Sequence, residues 1–169
     1  TRLNPSVGAL SRMFTEVKKN PKRVIFAEAE EDKVLRAAVS FKNEGLGEPL
    51  LVGYEAPIRE RLQEFGADPD QFEIINAANC ERRAEYVDFL YKRLNRRGFL
   101  RRDIVRYVNR DRNVFSACAV ALGDADAMVT GVTRQFWRAF KNIRRAVDPL
   151  PDHVPFGLSM MVGSDRTLF

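Results

Sequence analysis

Three short apolar runs, each followed by a segment of helical period, constrain this chain more than any single motif does. Arg23-Val24-Ile25-Phe26-Ala27 is the first, Pro49-Leu50-Leu51-Val52-Gly53 the second and Phe72-Glu73-Ile74-Ile75 the third. Between the first two, residues 30–43 place Val34, Ala38 and Phe41 on one helical face before Gly45. Between the second and third, Ile58, Leu62 and Phe65 do the same before Gly66. Short, largely apolar runs of this length suit buried strands, and spacing of three to four residues suits helices packed along one side. A glycine just past the last periodic residue stops a helix. The order β-α-β-α-β with short connections calls for an α/β fold, a mainly parallel sheet covered by helices on both faces.

The flanking segments extend this pattern. Val7, Leu10, Phe14 and Val17 are spaced for a helix with Asn4 placed to cap it and Pro5 in its first turn, ending at Asn20-Pro21. After the third run, Tyr86, Phe89, Leu90 and Leu94 mark a helix broken at Gly98, and Ile104, Val105 and Val108 mark another. Asp111 is placed to cap a helix carrying Phe115, Cys118 and Leu122. Ala127-Met128-Val129 reads as a fourth strand, and Phe136, Phe140, Ile143 and Val147 as a further amphipathic helix. The spacing of the aromatics in residues 136–140 fits core packing, with a subunit interface as the alternative. Asp148-Pro149-Leu150-Pro151 reads as a hinge or domain edge, and residues 156–162 as a fifth strand. Thr167-Leu168-Phe169 would be a sixth strand cut short after the turn Gly163-Ser164-Asp165-Arg166, so we expect a fragment of something longer. An interrupted sheet leaves an unpaired edge, from which aggregation or pairing with another copy is expected.

Length and composition narrow the function. One domain with a sizeable core is expected from 169 residues, and 45% hydrophobic with 30% charged residues is a soluble globular balance. No run has the length of a membrane span, and the N-terminus lacks the pattern of a secretory signal, so no membrane partner is expected. Cys80 and Cys118 form no CxxC pair, which suits a reduced cytoplasmic protein, with Cys118 as a small core residue. His153 is the single histidine and sits in a Pro-rich turn, so zinc chemistry is not expected. The net charge of +5 is concentrated between Lys92 and Arg112, where Arg93, Arg96, Arg97, Arg101, Arg102, Arg106 and Arg110 face only Asp103 and Asp111. A solvated helical face accounts for such a block, with nucleic acid, an anionic cofactor or an acidic partner surface as the alternatives. Stacking aromatics do not recur through it, so nucleic acid is not an expected partner.

Few constellations carry chemistry. Neither GxGxxG nor GxxxxGK[ST] occurs. Glu28, Glu30, Glu31 and Asp32 follow the first strand, where carboxylates favour a helix N-terminus, and that role is expected ahead of cation binding. Asp124 and Asp126 alternate around Ala125 and should point to opposite sides, which argues against a shared metal or an acid–base pair. Thr130-Gly131-Val132-Thr133 follows a predicted parallel strand and precedes a helix, where open α/β sheets bind ligands. Glycine permits close backbone approach, and hydroxyls with backbone amides suit an anion. Arg134 and Lys141 add positive charge. Thr130, Gly131, Thr133, Arg134 and Lys141 are therefore candidate anion- or phosphate-binding residues, although strand-Gly-helix turns also occur without ligands.

The stretches KNPKRVIFAEAEEDKVLRAAVSFKNEGLGEPLLVG, EIINA, RRGFLRRD and DRNVFSACAVALGDADAMVTGVTR resemble the phosphotransacetylase-like region of bacterial malic enzymes. The resemblance keeps its order over nearly the whole chain. It implies a three-layer α/β/α sandwich of the isocitrate/isopropylmalate dehydrogenase-like, phosphotransacetylase type, here incomplete. Residues 1–150 would be the N-terminal part of the first α/β domain, and residues 151–169 the start of an inserted second domain. In the transferases of this family a serine, an aspartate and an arginine of the later half act on CoA and acetyl phosphate. Another family arginine falls where Lys141 stands, and lysine is a poor substitute for a bidentate fork. Arg134 replaces a smaller polar residue.

The resemblance thus implies a segment that conducts no acyl transfer and has no catalytic residue and no metal site of its own. It would join subunits as a homo-oligomer and bind acetyl-CoA as an effector. The catalytic malic-enzyme domain of the same parent chain would oxidatively decarboxylate malate to pyruvate, and NADP and Mg or Mn would belong only to that domain. An active phosphate acetyltransferase fragment and a basic non-enzymatic binding module are the alternatives. On this reading, the turn at residues 130–133 is a strand end shaped by an ancestral ligand site.

Overall fold

The computed structural model describes residues 5–159, 161–162 and 167–168. A first helix α1 (Pro5–Lys19) leads into β1 (Lys22–Phe26), α2 (Asp32–Asn43), β2 (Gly47–Val52), α3 (Glu55–Glu64) and β3 (Glu73–Ile75). Three consecutive helices follow, α4 (Arg83–Leu94), α5 (Arg101–Arg110) and α6 (Arg112–Ala121), before β4 (Ala127–Val129) and α7 (Phe136–Ile143). β1 to β4 form one parallel sheet in the order β3-β2-β1-β4.

The period of two along each strand feeds two separate cores. Ile25, Leu50 and Val52 point into a cluster with Tyr86, Leu90, Leu94, Ile104, Val108, Phe115 and Cys118 from α4, α5 and α6. Phe26 and Leu51 point the other way, onto Val34, Leu35 and Ala38 of α2 and Ile58 and Leu62 of α3. This is the expected three-layer α/β/α arrangement, and it explains why β1 and β2 read as largely apolar runs.

Two residues look wrong for central strands until their surroundings are considered. Gly53 donates its N–H to the Ile75 carbonyl at 3.1 Å, so every second amide of β2, including the position of Pro49, faces β3. Pairing with β3 begins only at Leu50, and the missing N–H of Pro49 therefore interrupts no ladder bond. Gly47 is obligatory for another reason. A Cβ there would lie 2.2 Å from the Lys22 carbonyl oxygen and 2.8 Å from the Phe41 ring. Helix ends reuse one device. After α3, Gly66 takes a left-handed φ of +71° while Ala67 N–H returns to the Leu62 carbonyl at 2.9 Å.

Several expectations change. Asn4, the expected cap of α1, Met160, the turn at residues 163–166 and Phe169 lie outside the described residues. Met13, Phe14 and Val17 of α1 are about two-fifths exposed (40%, 42% and 41%) and do not form a buried stripe. The expected fifth strand contracts to β5 (Met161–Val162), because residues 156–159 have no regular structure, and it pairs antiparallel with β6 (Thr167–Leu168). α7 stops at Ile143, short of Val147. Core packing of its aromatics is overturned as well: Phe136 is 67% and Trp137 75% exposed, and they stack mainly on each other and on Phe140. Only Ala139 and Asn142 of this helix are buried.

Candidate functional site

The sheet order places a topological switch between β1 and β4, where the chain leaves β1 towards β2 on one side and returns to pair on the other. Ligands of open α/β sheets bind outside the carboxyl ends of strands at such a point. Here the position is filled from within. Glu28, two residues past β1 and only 4% exposed, turns its carboxylate into the loop after β4. Its Oε2 accepts the Thr133 N–H at 2.8 Å, and its Oε1 accepts the Thr130 hydroxyl at 3.0 Å and the Gly131 N–H at 3.4 Å. Gly131 holds a φ of +119°, which a side chain would strain, and this geometry helps bring both amides to one carboxylate.

Burial pushes the Glu28 carboxyl upward, but the Thr133 amide, the Thr130 and Thr133 hydroxyls and the Gly131 amide outweigh it and hold the group below the ordinary glutamate range. Thr130 has one proton to give, and Glu28 can only accept it. Thr130 Oγ1 also lies 2.5 Å from the Asn113 amide oxygen as assigned, while the buried Asn113 Nδ2 finds no partner. Amide oxygen and nitrogen exchange by a half-turn. With Nδ2 facing Thr130, Asn113 donates to Thr130 and Thr130 donates to Glu28, so the chain of bonds closes.

Asp111 organises the adjoining corner. Its Oδ1 accepts the N–H groups of Asn113 (3.1 Å) and Val114 (3.2 Å), the expected cap of α6. Its Oδ2 accepts from Arg134 (3.2 Å) and Asn142 Nδ2 (2.7 Å), which ties α6 to the loop before α7 and to α7 itself. Arg145 in turn donates to Asn142 Oδ1 at 2.9 Å. Glu30 accepts the Tyr54 N–H at 2.8 Å and an Arg112 guanidinium N–H at 2.5 Å. It also borders a cleft of about 280 Å³ lined by Gly53, Tyr54, Asn76, Arg110 and Arg112 among others.

Of the five candidate residues, Thr130, Gly131 and Thr133 converge on Glu28, Arg134 is engaged by Asp111, and Lys141 is exposed on α7. The expected role at the α2 N-terminus holds for Asp32, in the first turn, and is corrected for Glu28 and Glu30. Glu31 makes no side-chain cap bond, Asp32 pairs with Arg61 at 3.1 Å, and Glu28 and Glu30 serve loops from β4 and β2. Glu28, Asn113, Asp111 and Asn142 are the site residues that sequence reasoning did not assign to the site. A carboxylate two residues past a central strand, facing a Thr-Gly turn past its parallel neighbour, was the available signal for Glu28.

Asp124 and Asp126 diverge as expected. Asp124 accepts from Arg82 and from the Tyr86 hydroxyl, whereas Asp126 accepts the Arg23 N–H at 2.8 Å. The arginine block is partly structural: Arg93 meets Asp148 at 2.6 Å and Arg101 meets Asp88 at 2.5 Å, while Arg102, Arg106 and Arg110 face solvent on α5. Cys80 and Cys118 are free thiols, and burial pushes Cys118 up to about 12, so it stays protonated. Among the described residues no three His, Cys, Asp or Glu side chains could together hold a metal, and no helix is long and apolar enough to cross a membrane.

Fold and site together define an α/β sheet protein with a ligand-type strand end closed by its own carboxylate. Residues 9–169 match the family described as Phosphate acetyl/butaryl transferase, and the chain belongs to that family. It is 44% identical over 169 residues to the NADP-dependent malic enzyme of Rhizobium meliloti, a match covering 99% of this chain and 22% of that protein. A probable NADP-dependent malic enzyme of Rickettsia prowazekii is 36% identical over the same 99%. The phosphate acetyltransferase of Clostridium acetobutylicum is 33% identical over 68% of this chain and 34% of its own length. The chain thus spans about a fifth of the malic enzymes it matches, and within them it corresponds to a phosphotransacetylase-like domain. The fold agrees with that of the EutD phosphotransacetylase from Staphylococcus aureus, with a TM-score of 0.78 at 22% identity over 92% of this chain and 48% of that one.

Proposed function

We propose that this chain is the regulatory and subunit-joining phosphotransacetylase-like part of a cytoplasmic NADP-dependent malic enzyme, and that it binds acetyl-CoA as an effector without transferring its acyl group. The observation that carries this reading is the 44% identity over 99% of the chain to one segment of a malic enzyme. Residues 1–150 are the N-terminal part of its first α/β domain, and residues 151–169 open the inserted one. The separate two-stranded β5–β6 sheet supports that division. NADP, Mg or Mn and the decarboxylation of malate belong to the catalytic domain of the parent chain, which is the partner this segment regulates. Lys141 on α7 and Arg110 at the cleft beside Glu30 supply cations for the phosphates of CoA. An effector acts by favouring one of two conformations, and α7, tied to α6 through Asp111 and carrying exposed aromatics, is the element we expect to shift.

Active phosphate acetyl transfer is the second reading, favoured by the match to the Clostridium acetobutylicum transferase. Calorimetry of acetyl-CoA with the full-length protein, run beside an assay for acetyl phosphate formation, separates the two. Binding without turnover is the expected result. Turnover would establish the transferase reading, and absence of binding would leave the subunit-joining role.

A further inference from the structure

We propose that the turn Thr130-Gly131-Val132-Thr133 is a carboxylate cradle whose resident ligand is Glu28, and that an external anion reaches it only by taking Glu28's place. The inference deepens the functional reading above, on which it rests only in treating this strand end as a place where a ligand of the protein would bind.

The geometry is that of an occupied site. Two backbone N–H groups and the hydroxyls of Thr130 and Thr133 act on one planar carboxylate, with Thr133 N–H on Oε2 and the Thr130 hydroxyl and Gly131 N–H on Oε1. Donors arranged in this way form a concave nest that selects for an anion. The carboxylate that fills it is almost wholly buried, and it bridges residues 102 to 105 positions apart in sequence. Burying a charge at this depth is costly unless it is hydrogen-bonded, and these donors meet that requirement. A second anion would face both the loss of its donors and the charge of Glu28. The cation next in sequence gives it no foothold, because Arg134 already serves Asp111. Of the five candidate residues, Lys141 alone is then left for an incoming phosphate or carboxylate. If Glu28 swings out, β1 loses its side-chain link to the β4 loop, so anion entry and loosening of the segment before α7 become one event.

Thermal denaturation of the 169-residue chain tests this with acetate and inorganic phosphate as probes and chloride at matched ionic strength as the control. Glu28→Ala removes the groups that an acetate ion replaces. The expected result is a lowered Tm that rises again with the logarithm of acetate concentration, as linkage requires, while the wild-type Tm does not respond beyond the chloride control. Glu28→Gln keeps the shape and loses the charge, so it should fold, show a lowered Tm and stay unresponsive to acetate. In ¹⁵N-resolved spectra the Gly131 and Thr133 amides should be the resonances most displaced in Glu28→Gln, and unmoved by phosphate in the wild type. A wild-type Tm that climbs with phosphate or acetate as steeply as the variant's would overturn the proposal. So would a folded Glu28→Ala protein indifferent to both anions. If Glu28→Ala does not fold, undisplaced Gly131 and Thr133 amides in Glu28→Gln would overturn it equally. Acetyl-CoA takes no part in these measurements, so their failure leaves the effector reading standing and its failure leaves this one.

Discussion

Helices α6 and α7 are neighbours of similar length, yet they are held in opposite ways. In α6, Val114, Phe115, Ala117 and Cys118 are 0% exposed, and the helix is enclosed by the sheet on one side and by α4 and α5 on others. In α7 the large side chains Phe136 and Trp137 face outward, and the small or polar Ala139 and Asn142 face inward. Packing fixes the first helix. The second is tied down by Asp111, through Asn142 and Arg134, with Ala139 buried and Ile143 packed at the margin of the core. Nearly the same hydrophobic spacing therefore gives a core element in one case and a surface element in the other, and the difference lies in what surrounds each.

Substitutions should separate the two modes. Phe115, buried and edge-to-face with Tyr86 at 5.2 Å between ring centres, is the core anchor of α6. Phe115→Ala should cost about 3–5 kcal/mol in denaturant unfolding, the range for deleting a buried ring. A loss near zero would mean that α6 is not held by packing. Asp111→Ala comes next, at about 2–3 kcal/mol, because it removes a helix cap and leaves Arg134 and Asn142 without their acceptor. Unlike the first change, it should also raise amide exchange in α7, and equal exchange in the two variants would erase the contrast.

The Glu28 link between β1 and the β4 loop gives a smaller effect that depends on pH. Its folded pKa lies below the ordinary glutamate value, so its contribution is present above the unfolded pKa and is lost as pH falls through the folded one. Melting temperatures of wild type and Glu28→Gln should therefore converge on acidification below the ordinary glutamate range. A gap that keeps its size across that window would count against an ionised Glu28 in the cradle. Smallest of all is Trp137→Ala, expected to change stability by less than about 0.5 kcal/mol. It should nevertheless reduce self-association in sedimentation, since an exposed aromatic cluster favours pairing.

Most of the fold is legible in the chain. Strand runs and helix periods are local signals, and β1, β2, α2 and α3 carry them without interruption. What escapes a local reading is the partner of each side chain. Residues 136–140 have a spacing that fits a core, but nothing local says whether a surface exists for them to cover, and here Phe136 and Trp137 have none. Glu28 resembles a helix-terminus carboxylate because α2 follows it, while its actual donors lie more than a hundred residues away. Asp111 is recognisable as a cap, since capping is local, but its second oxygen serves α7, which no local pattern announces. The turn at residues 130–133 can be located at the strand end from sequence. Its occupant becomes visible only once β1 and β4 are side by side.

Trp137 is the single tryptophan of the chain and is 75% exposed. Its emission in the native state should already be that of an indole in water and should change little when the cores around Phe115 and Leu35 come apart. Intrinsic fluorescence is therefore a poor thermometer for this protein and a selective indicator light for α7: a blue shift would announce that something has settled on that helix.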